Sequence, residues 1–284
     1  MAIFSNQATL TYGGNTTNSN IAYGEILDVV IATKTAIEGI YAPDDLVTYV
    51  VTLRNTGSTA LTNLTVTDDL GGYDFNSATV YPLTYEDGSV ARFVNGVPQT
   101  APTVTAGPPL IFSGINIPAG GDVVLVYQAR VNGFANPAAG GTIVNTVTVT
   151  GDGVSTPITA SETVTAATAP ALTISKSITP AQVVDNDRVT YTFVIQNTGN
   201  EPVVATDNAA ITDLFDPILT DLVVTFNGAA WTEGVQYTYD ETTGLFATVP
   251  SQITVPAATY TQDPVTGEYT MNPGIATLIV TGTI

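Results

Sequence analysis

Two lysines are the residues of this chain whose type and position suggest chemistry. Lys34 and Lys176 are the only lysines among 284 residues, and each lies in an alternating run, Ile31–Ala36 and Ile174–Ile178. Alternation directs every second side chain of a strand inward, so both amines are predicted to point into a core. An unpaired ammonium is costly to bury, and burial lowers the pKa of an amine. Solubility therefore does not explain these two residues.

The composition excludes several function classes. There are 25 acidic and 6 basic residues, a net charge of −19, which argues against nucleic acid and membrane surfaces as partners. Cysteine and histidine are absent, so disulfides, thiolate catalysis and imidazole chemistry are excluded. We expect no cofactor, no metal and no enzymatic activity.

The strands that position the two lysines belong to an internal sequence repeat. Leu46–Gly57 and Val189–Gly199 share an alternating V-T-Y run that ends in Asn-Thr-Gly, and the sequence numbers of the two lysines differ by 176 − 34 = 142. Frequent Gly, Pro, Asn and Asp between such runs is typical of an all-β chain. The sequence predicts a segment 1–26, a first domain 27–168 and a second domain 169–284.

The order of the motifs carries a specific resemblance. A lysine on the first strand is followed by V-T-Y, N-T-G, V-T-D at Val66–Asp68, I-P-A-G at Ile117–Gly120 and V-N-T-V-T-V-T at Val144–Thr150. This pattern resembles the DUF11 family of repeated Ig-like domains in prokaryotic surface proteins, over nearly the whole chain except the insert Tyr237–Gly274. The resemblance implies two tandem Ig-like β-sandwiches on an extracellular cell or spore surface and says little about a ligand.

The second half departs from this pattern at its end. The first half closes with Ile143–Thr150, whereas Ala276–Ile284 matches only the strand before it, and the equivalent of Asn145 would be residue 145 + 142 = 287. The second sandwich is therefore predicted to lack its closing strand. Phe4–Gly13 resembles that strand, and we expect it to be a donor strand followed by a linker. The donor residues are Phe4, Asn6, Ala8, Leu10 and Tyr12.

An open sheet edge can accept a strand from another chain. Because donor and acceptor are at opposite ends of the sequence, the contact is heterologous, and the predicted partners are identical subunits in an open head-to-tail polymer. Three alternatives stay open: a truncated chain, self-completion of the second domain by the N-terminal strand, and an ordinary first-domain strand.

The resemblance also implies a reaction, because related Ig-like surface domains form a spontaneous amide between a buried lysine and an asparagine. Here the set is Lys34 and Asn145 with Asp68 as the promoting acid. In the second half Lys176 and Asp213 lack a local asparagine, so Asn6 of a neighbouring subunit is the predicted partner. A neutral amine would attack the carboxamide while the protonated acid polarises its oxygen.

Simpler explanations remain for these residues. The lysines can form buried ion pairs with the two aspartates, and asparagine is common after turns. The acidic turns Pro43–Asp45 and Asp185–Asp187 suit either Ca²⁺ or plain turn chemistry. The predicted function is a subunit of an extracellular filament. The alternative is a monomeric stalk or adhesin pair that binds a host or matrix ligand.

Overall fold

The computed structural model describes residues 2–26 and 29–284. Strands dominate the described residues, and the one helix among them is a 3₁₀ turn at Ala205–Asp207. The predicted all-β fold is confirmed. Within the described ranges no helix is long and apolar enough to cross a membrane. The chain divides into two compact units, the first built mainly from residues up to Ala166 and the second mainly from residues after it.

Residues 2–26 form one long hairpin, which contains β1 (Ala2–Asn6), β2 (Thr9–Tyr12), β3 (Asn15–Asn18) and β4 (Ala22–Ile26). β1 pairs with β4 and β2 with β3, and in the described chain none of the four pairs with another strand. Gly13 and Gly14 both have positive φ, as a tight two-residue hairpin turn requires. The part expected to be a linker is therefore the return arm of the hairpin.

The first unit contains fourteen further strands. They are β5 (Val30–Ala36), β6 (Ile40–Tyr41), β7 (Leu46–Asn55), β8 (Leu61–Asp68), β9 (Tyr73–Phe75), β10 (Ala78–Val80), β11 (Leu83–Tyr85), β12 (Ala91–Val94), β13 (Val97–Gln99), β14 (Thr103–Ala106), β15 (Leu110–Ile117), β16 (Asp122–Val131), β17 (Thr142–Thr150) and β18 (Ile158–Ala166).

Two six-stranded sheets make the first sandwich. One has the order β13-β12-β16-β7-β5 with β11 beside β16, and the other has the order β14-β15-β8-β17-β18-β6. Strict alternation in β7 and β16 buries every second side chain, including Tyr49, Leu53 and Tyr127. The inward residues of both sheets form a single apolar core.

The second unit contains the last ten strands. They are β19 (Leu172–Thr179), β20 (Arg188–Asn197), β21 (Thr212–Leu214), β22 (Thr220–Phe226), β23 (Ala229–Trp231), β24 (Tyr237–Asp240), β25 (Leu245–Thr248), β26 (Thr259–Gln262), β27 (Tyr269–Asn272) and β28 (Gly274–Thr283).

The sheets of the second unit repeat those of the first. The order β19-β20-β28-β22-β23 corresponds to β5-β7-β16-β12-β13, and β21-β25-β24 corresponds to β8-β15-β14. The register is also shared, because Lys34 pairs with Val51 and Lys176 pairs with Phe193, so the two partners are separated by the same offset as the two lysines.

The Asn-Thr-Gly turns give atomic support for this equivalence. Asn55 donates to the carbonyl oxygens of Thr59 and Pro118 at 2.8 and 3.1 Å. Asn197 donates to those of Glu201 and Pro256 at 2.7 and 3.1 Å. Each side-chain oxygen accepts the amide of the glycine two residues later at 2.9 Å. Both asparagines are fully buried and fully satisfied.

The second sandwich lacks strands that the first contains. β8 lies between β15 and β17, whereas in the described chain β21 pairs only with β25. The predicted absence of the closing strand is confirmed. The gap is two strands wide, because among the described residues the second unit has an equivalent of neither β17 nor β18.

Candidate cross-linking and strand-acceptor sites

The first site is a buried ion pair. β5 supplies Lys34, whose Nζ donates to Oδ2 of Asp68 at 2.7 Å, and Asp68 is the last residue of β8. Both side chains are fully buried, with an exposed fraction of 0%. Burial is the main cause that lowers the pKa of Lys34 from its ordinary value of 10.5, and Asp68 opposes part of that fall. The amine is thus closer to its neutral, nucleophilic form than an exposed lysine.

Two tyrosines surround this pair, one from each of the adjacent strands β7 and β16. Nζ of Lys34 lies 4.7 Å from the ring centroid of Tyr49 and 5.9 Å from that of Tyr127. The hydroxyl of Tyr127 donates to Asp68 Oδ2, and the amide of Leu70 donates to Asp68 Oδ1 at 2.7 Å. Burial raises the pKa of both phenols, so both stay protonated. The carboxyl of Asp68 is therefore held in one orientation.

Asn145 completes the site from β17. It is fully buried, and within residues 2–26 and 29–284 neither its Oδ1 nor its Nδ2 has a hydrogen-bond partner. The Asn145 side chain opposes part of the rise in the pKa of the Tyr49 phenol, which is caused mainly by burial, although no hydrogen bond of normal geometry joins the two side chains. Leaving a buried polar group unpaired costs about 1–3 kcal/mol. An unpaired carboxamide in the core is therefore a notable exception beside the satisfied Asn55 and Asn197.

This arrangement supplies the parts of an amide-forming reaction. It contains a desolvated amine, a carboxyl in contact with that amine and a buried carboxamide without a hydrogen-bond partner among the described residues. A proton can pass from Lys34 to Asp68 along their hydrogen bond, which leaves a neutral amine beside a neutral acid. The residues named from the sequence, Lys34, Asp68 and Asn145, thus belong to one core.

The second site contains the equivalent pair in an open setting. Lys176 of β19 contacts Asp213 of β21 and lies 4.4 Å from the Tyr191 ring centroid. Unlike the first pair, the side chains of Lys176 and Asp213 are 38% and 19% exposed. Val280 pairs with Tyr191 where Tyr127 pairs with Tyr49, so Asp213 has no phenol donor from β28.

The exposed face of β19 is the reason for this openness. In the first unit β18 packs against β5 and covers its inward residues, so Val30 is only 6% exposed. The equivalent Leu172 is 42% exposed, and Ile174 and Ile178 are 55% and 40% exposed. Leu172, Ile174 and Ile211 also line an apolar groove of about 170 Å³. A whole row of core residues is therefore uncovered.

The predicted donor residues are exposed on the hairpin. With Asn6 aligned to Asn145, Phe4 and Leu10 match the buried Ile143 and Val149 of β17, yet they are 55% and 61% exposed; Tyr12, which matches Gly151 beyond β17, is 61% exposed. The Phe4 ring covers Gly24 directly across the strand pair, where an added Cβ would approach the ring to 2.2 Å. The return strand thus needs glycine at this position.

The cross-strand register of the hairpin differs from that of its counterpart. Asn145 pairs with Glu162, whereas Asn6 pairs with Ala22, and Glu25 pairs with Ile3. The likeness between Phe4–Gly13 and the closing strand therefore does not extend to the residues paired across the hairpin. The structure does not bring Asn6 near Lys176 in one chain through any strand pair of the described residues.

The acidic turns have a local explanation. Asp45 accepts the amide of Ala42 at 2.8 Å, and Asp187 accepts the amide of Val184 at 3.0 Å. Asp44 and Asn186 have positive φ in the equivalent turns. These contacts are turn chemistry.

Sequence reasoning missed the two tyrosines and the return strand. Tyr127 alternates with Val123, Leu125 and Ala129 in β16, and that pattern indicated its inward direction. The dipeptide Gly13-Gly14 between two polar-apolar runs was an available signal for a hairpin.

Comparisons with known proteins add only a broad likeness. No protein-family model matches the sequence, and no curated protein matches it either. Among solved structures, the chain is similar to the major pilin subunit BcpA of Bacillus cereus, with 12% identity, a TM-score of 0.37 and coverage of 96% of this chain and 73% of that one.

Two further similar structures are a pilus backbone and an adhesin domain. The pilus backbone RrgB of Streptococcus pneumoniae is 12% identical with a TM-score of 0.32, and the match covers 86% of this chain and 55% of that one. The collagen-binding domain of a Staphylococcus aureus adhesin is 14% identical with a TM-score of 0.30, covering 46% and 95%. Likenesses at this level carry no argument about function.

Proposed function

We propose that this chain is a structural subunit of an extracellular, surface-associated filament and that its subunits join head to tail by strand donation. The hairpin of residues 2–26 in one copy fills the two-strand gap in the second unit of the next copy. The chain performs no enzymatic turnover in this role. The relationship to the DUF11 family of surface repeats stays a prediction.

The uncovered second sandwich is the observation that carries the proposal. β21 has a free edge and β19 an uncovered inner face, whereas their counterparts β8 and β5 are covered by β17 and β18. Exposed Leu172, Ile174 and Ile178 form a stripe on β19 that is unfavourable in water. A free strand edge beside an apolar face is the standard acceptor for an added strand.

The hairpin has the residues that this gap needs. Aligning Asn6 with Asn145 aligns Ala8 with Val147 and Leu10 with Val149. Val149 pairs with Val66, whose counterpart beside β21 is Ile211. Leu10 would therefore enter the groove lined by Ile211, Leu172 and Ile174.

The direction of assembly follows from where the two parts lie. The hairpin belongs to the first unit and the gap to the second, so the same surface is never used twice in one contact. Such a heterologous contact adds copies without limit unless a ring closes. This supports identical subunits as the partners.

The proposal includes an amide bond inside the first unit. Lys34 Nζ would bond to Cγ of Asn145 while Nδ2 leaves, and two protons would pass from Nζ through the Asp68 carboxyl to the departing nitrogen as ammonium. The support is the buried pair at 2.7 Å and the unpaired carboxamide of Asn145, which lies against Tyr49, the residue whose ring faces Lys34. The same reaction between Lys176 of one subunit and Asn6 of the next belongs to the proposal as its covalent form.

Fibre formation by matched variants tests strand donation. Leu10 and Thr11 are neighbours on opposite faces of β2, and only Leu10 is on the donor face. Leu10→Asp is expected to abolish filaments in electron micrographs, because a carboxylate would be buried in an apolar groove. Thr11→Asp is the control and should assemble as the unaltered chain does.

Other outcomes decide between the alternatives. Equal filaments from both variants, or from a chain lacking residues 2–12, would contradict strand donation. A wild-type chain that stays monomeric at every concentration would instead favour the stalk or adhesin alternative. Light scattering on the same samples gives the oligomeric state in solution.

A further inference from the structure

We infer that Lys176 and Asp213 form a dormant cross-linking site, which becomes reactive only when both strands of the hairpin from a second copy cover it. This inference rests on the proposed function and adds the event that triggers amide formation, which is docking of the hairpin. The site is incomplete without the partner copy, which supplies both the carboxamide of Asn6 and the cover that removes water.

The first unit indicates which strand provides the cover. β17 carries Asn145, but β18 is the strand that packs over β5 and therefore over Lys34. In that closed setting the Lys34 side chain has no exposed surface, compared with 38% for Lys176. A single donated strand in the place of β17 would bring Asn6 to the site but leave the Lys176 side chain exposed to solvent. The return arm of the hairpin is thus the element that would exclude water from Lys176.

The low charge of the hairpin supports it as the occupant of the gap in the second unit. The chain contains 25 acidic residues, yet residues 2–26 contain one, Glu25, and no lysine or arginine. β18, which has the corresponding place in the first unit, likewise has a single charged residue, Glu162, and the charge of Glu162 acts on Lys34. A nearly neutral hairpin with one carboxylate brings little charge to a gap that contains the Lys176–Asp213 ion pair.

The solvated pair is unreactive for a physical reason. In water an ammonium beside a carboxylate keeps its proton, and a protonated amine cannot attack a carbonyl carbon. Covering the pair disfavours the two charges and favours a neutral amine beside a neutral acid. Docking therefore changes the protonation of Lys176 and brings its target in the same event.

The reaction balances without an oxidant or a cofactor. The Lys176 Nζ–Asn6 Cγ bond forms and the Asn6 Cγ–Nδ2 bond breaks. Two protons leave Nζ by way of Asp213 and depart with Nδ2 as ammonium, so Asp213 ends ionised as it began. One ammonium is released for each junction, and the first unit's own bond releases one more for each subunit.

Three full-length chains test the inference. Wild-type filaments boiled in SDS should give a ladder, whereas Asn6→Ala filaments should form and dissolve to monomers. Leu10→Asp, which keeps both Asn6 and Lys176 but does not dock, should stay monomeric and lose only the one ammonia of the first unit by intact mass. A lysine-selective acylating reagent should modify Lys176 in this monomer and fail to modify it in Asn6→Ala filaments.

The contrary results are distinct. Wild-type filaments that dissolve in SDS to monomers lacking one ammonia would overturn the junction bond and leave the filament proposal intact. Rapid acylation of Lys176 in Asn6→Ala filaments would overturn the covering role of the return strand. A wild-type chain that forms no filament would overturn the proposed function itself, and the inference with it.

Discussion

Replacing Asn145 by alanine should change the stability of the first unit in a direction that depends on whether the amide exists. Without an amide, the change removes an unpaired buried carboxamide and leaves the Lys34–Asp68 pair untouched. The free energy of unfolding should then stay equal or rise, since relieving an unpaired buried group is worth about 1–3 kcal/mol.

With the amide, the same change removes a cross-link that joins β5 to β17 across most of the first unit. By analogy with a disulfide, closing a loop of about 100 residues stabilises the folded state by about 5 kcal/mol through the entropy of the unfolded chain. Since the amide consumes the carboxamide of Asn145, no relief of an unpaired group offsets this loss, and Asn145→Ala should lower the free energy of unfolding by about 5 kcal/mol.

Urea denaturation with two probes measures this change. Trp231, the only tryptophan, lies in the second unit, so its fluorescence is an internal control whose midpoint should not move. Far-ultraviolet circular dichroism reports both units, and the transition that Trp231 fluorescence does not report should shift in the variant. Intact mass under denaturing conditions shows whether wild type has lost ammonia.

A double-mutant cycle separates the cross-link from packing. In a Lys34→Met background no amide can form, so adding Asn145→Ala should cause no loss of stability. The reasoning is refuted if wild type retains its full mass and Asn145→Ala alone is as stable as wild type or more so.

Two further predictions concern the same core. Amide formation on refolding should have a flat rate through neutral pH, because the reactive neutral pair has the same protons as the ion pair. The rate should fall at alkaline pH, and the fall should begin below pH 10.5, since burial lowers the pKa of Lys34 and a deprotonated lysine gives Asp68 no proton. Quenched refolding followed by intact mass measures this rate. A rate that still rises above pH 10.5 would contradict the prediction. Tyr127→Phe in the Asn145→Ala background removes the phenol donor to Asp68 and should cost about 1.5–3 kcal/mol in urea denaturation, an unchanged midpoint being the contrary result.

The repeat made much of the fold predictable from sequence. A single offset in sequence number aligned the two lysines, and the structure gives them the same strand register. Alternation predicted that Lys34 points into a core, and the resemblance to Ig-like surface repeats placed Asp68 and Asn145 with it; all three are buried. Such periodic patterns are local and need no knowledge of long-range packing.

Other features depended on contacts that a pattern does not contain. Residues 15–26 were predicted to be a linker, yet backbone pairing with β1 and β2 makes most of them strands. The exposure of Lys176 was not predicted either, since it follows from the absence of a covering strand. The phenol on Asp68 was missed because Tyr127 comes from β16, distant in sequence from both lysine and acid.

Tension along the chain would bypass most of the first sandwich once Lys34 and Asn145 are joined. A pull that arrives through the hairpin enters β5, and the new bond passes it directly to β17, so residues 35–144 carry no load. Only the remainder of β17, its turn and β18 stay between that bond and the second unit. A filament of such subunits would resist stretching through covalent chemistry, and its largest folded core would not have to unravel under force.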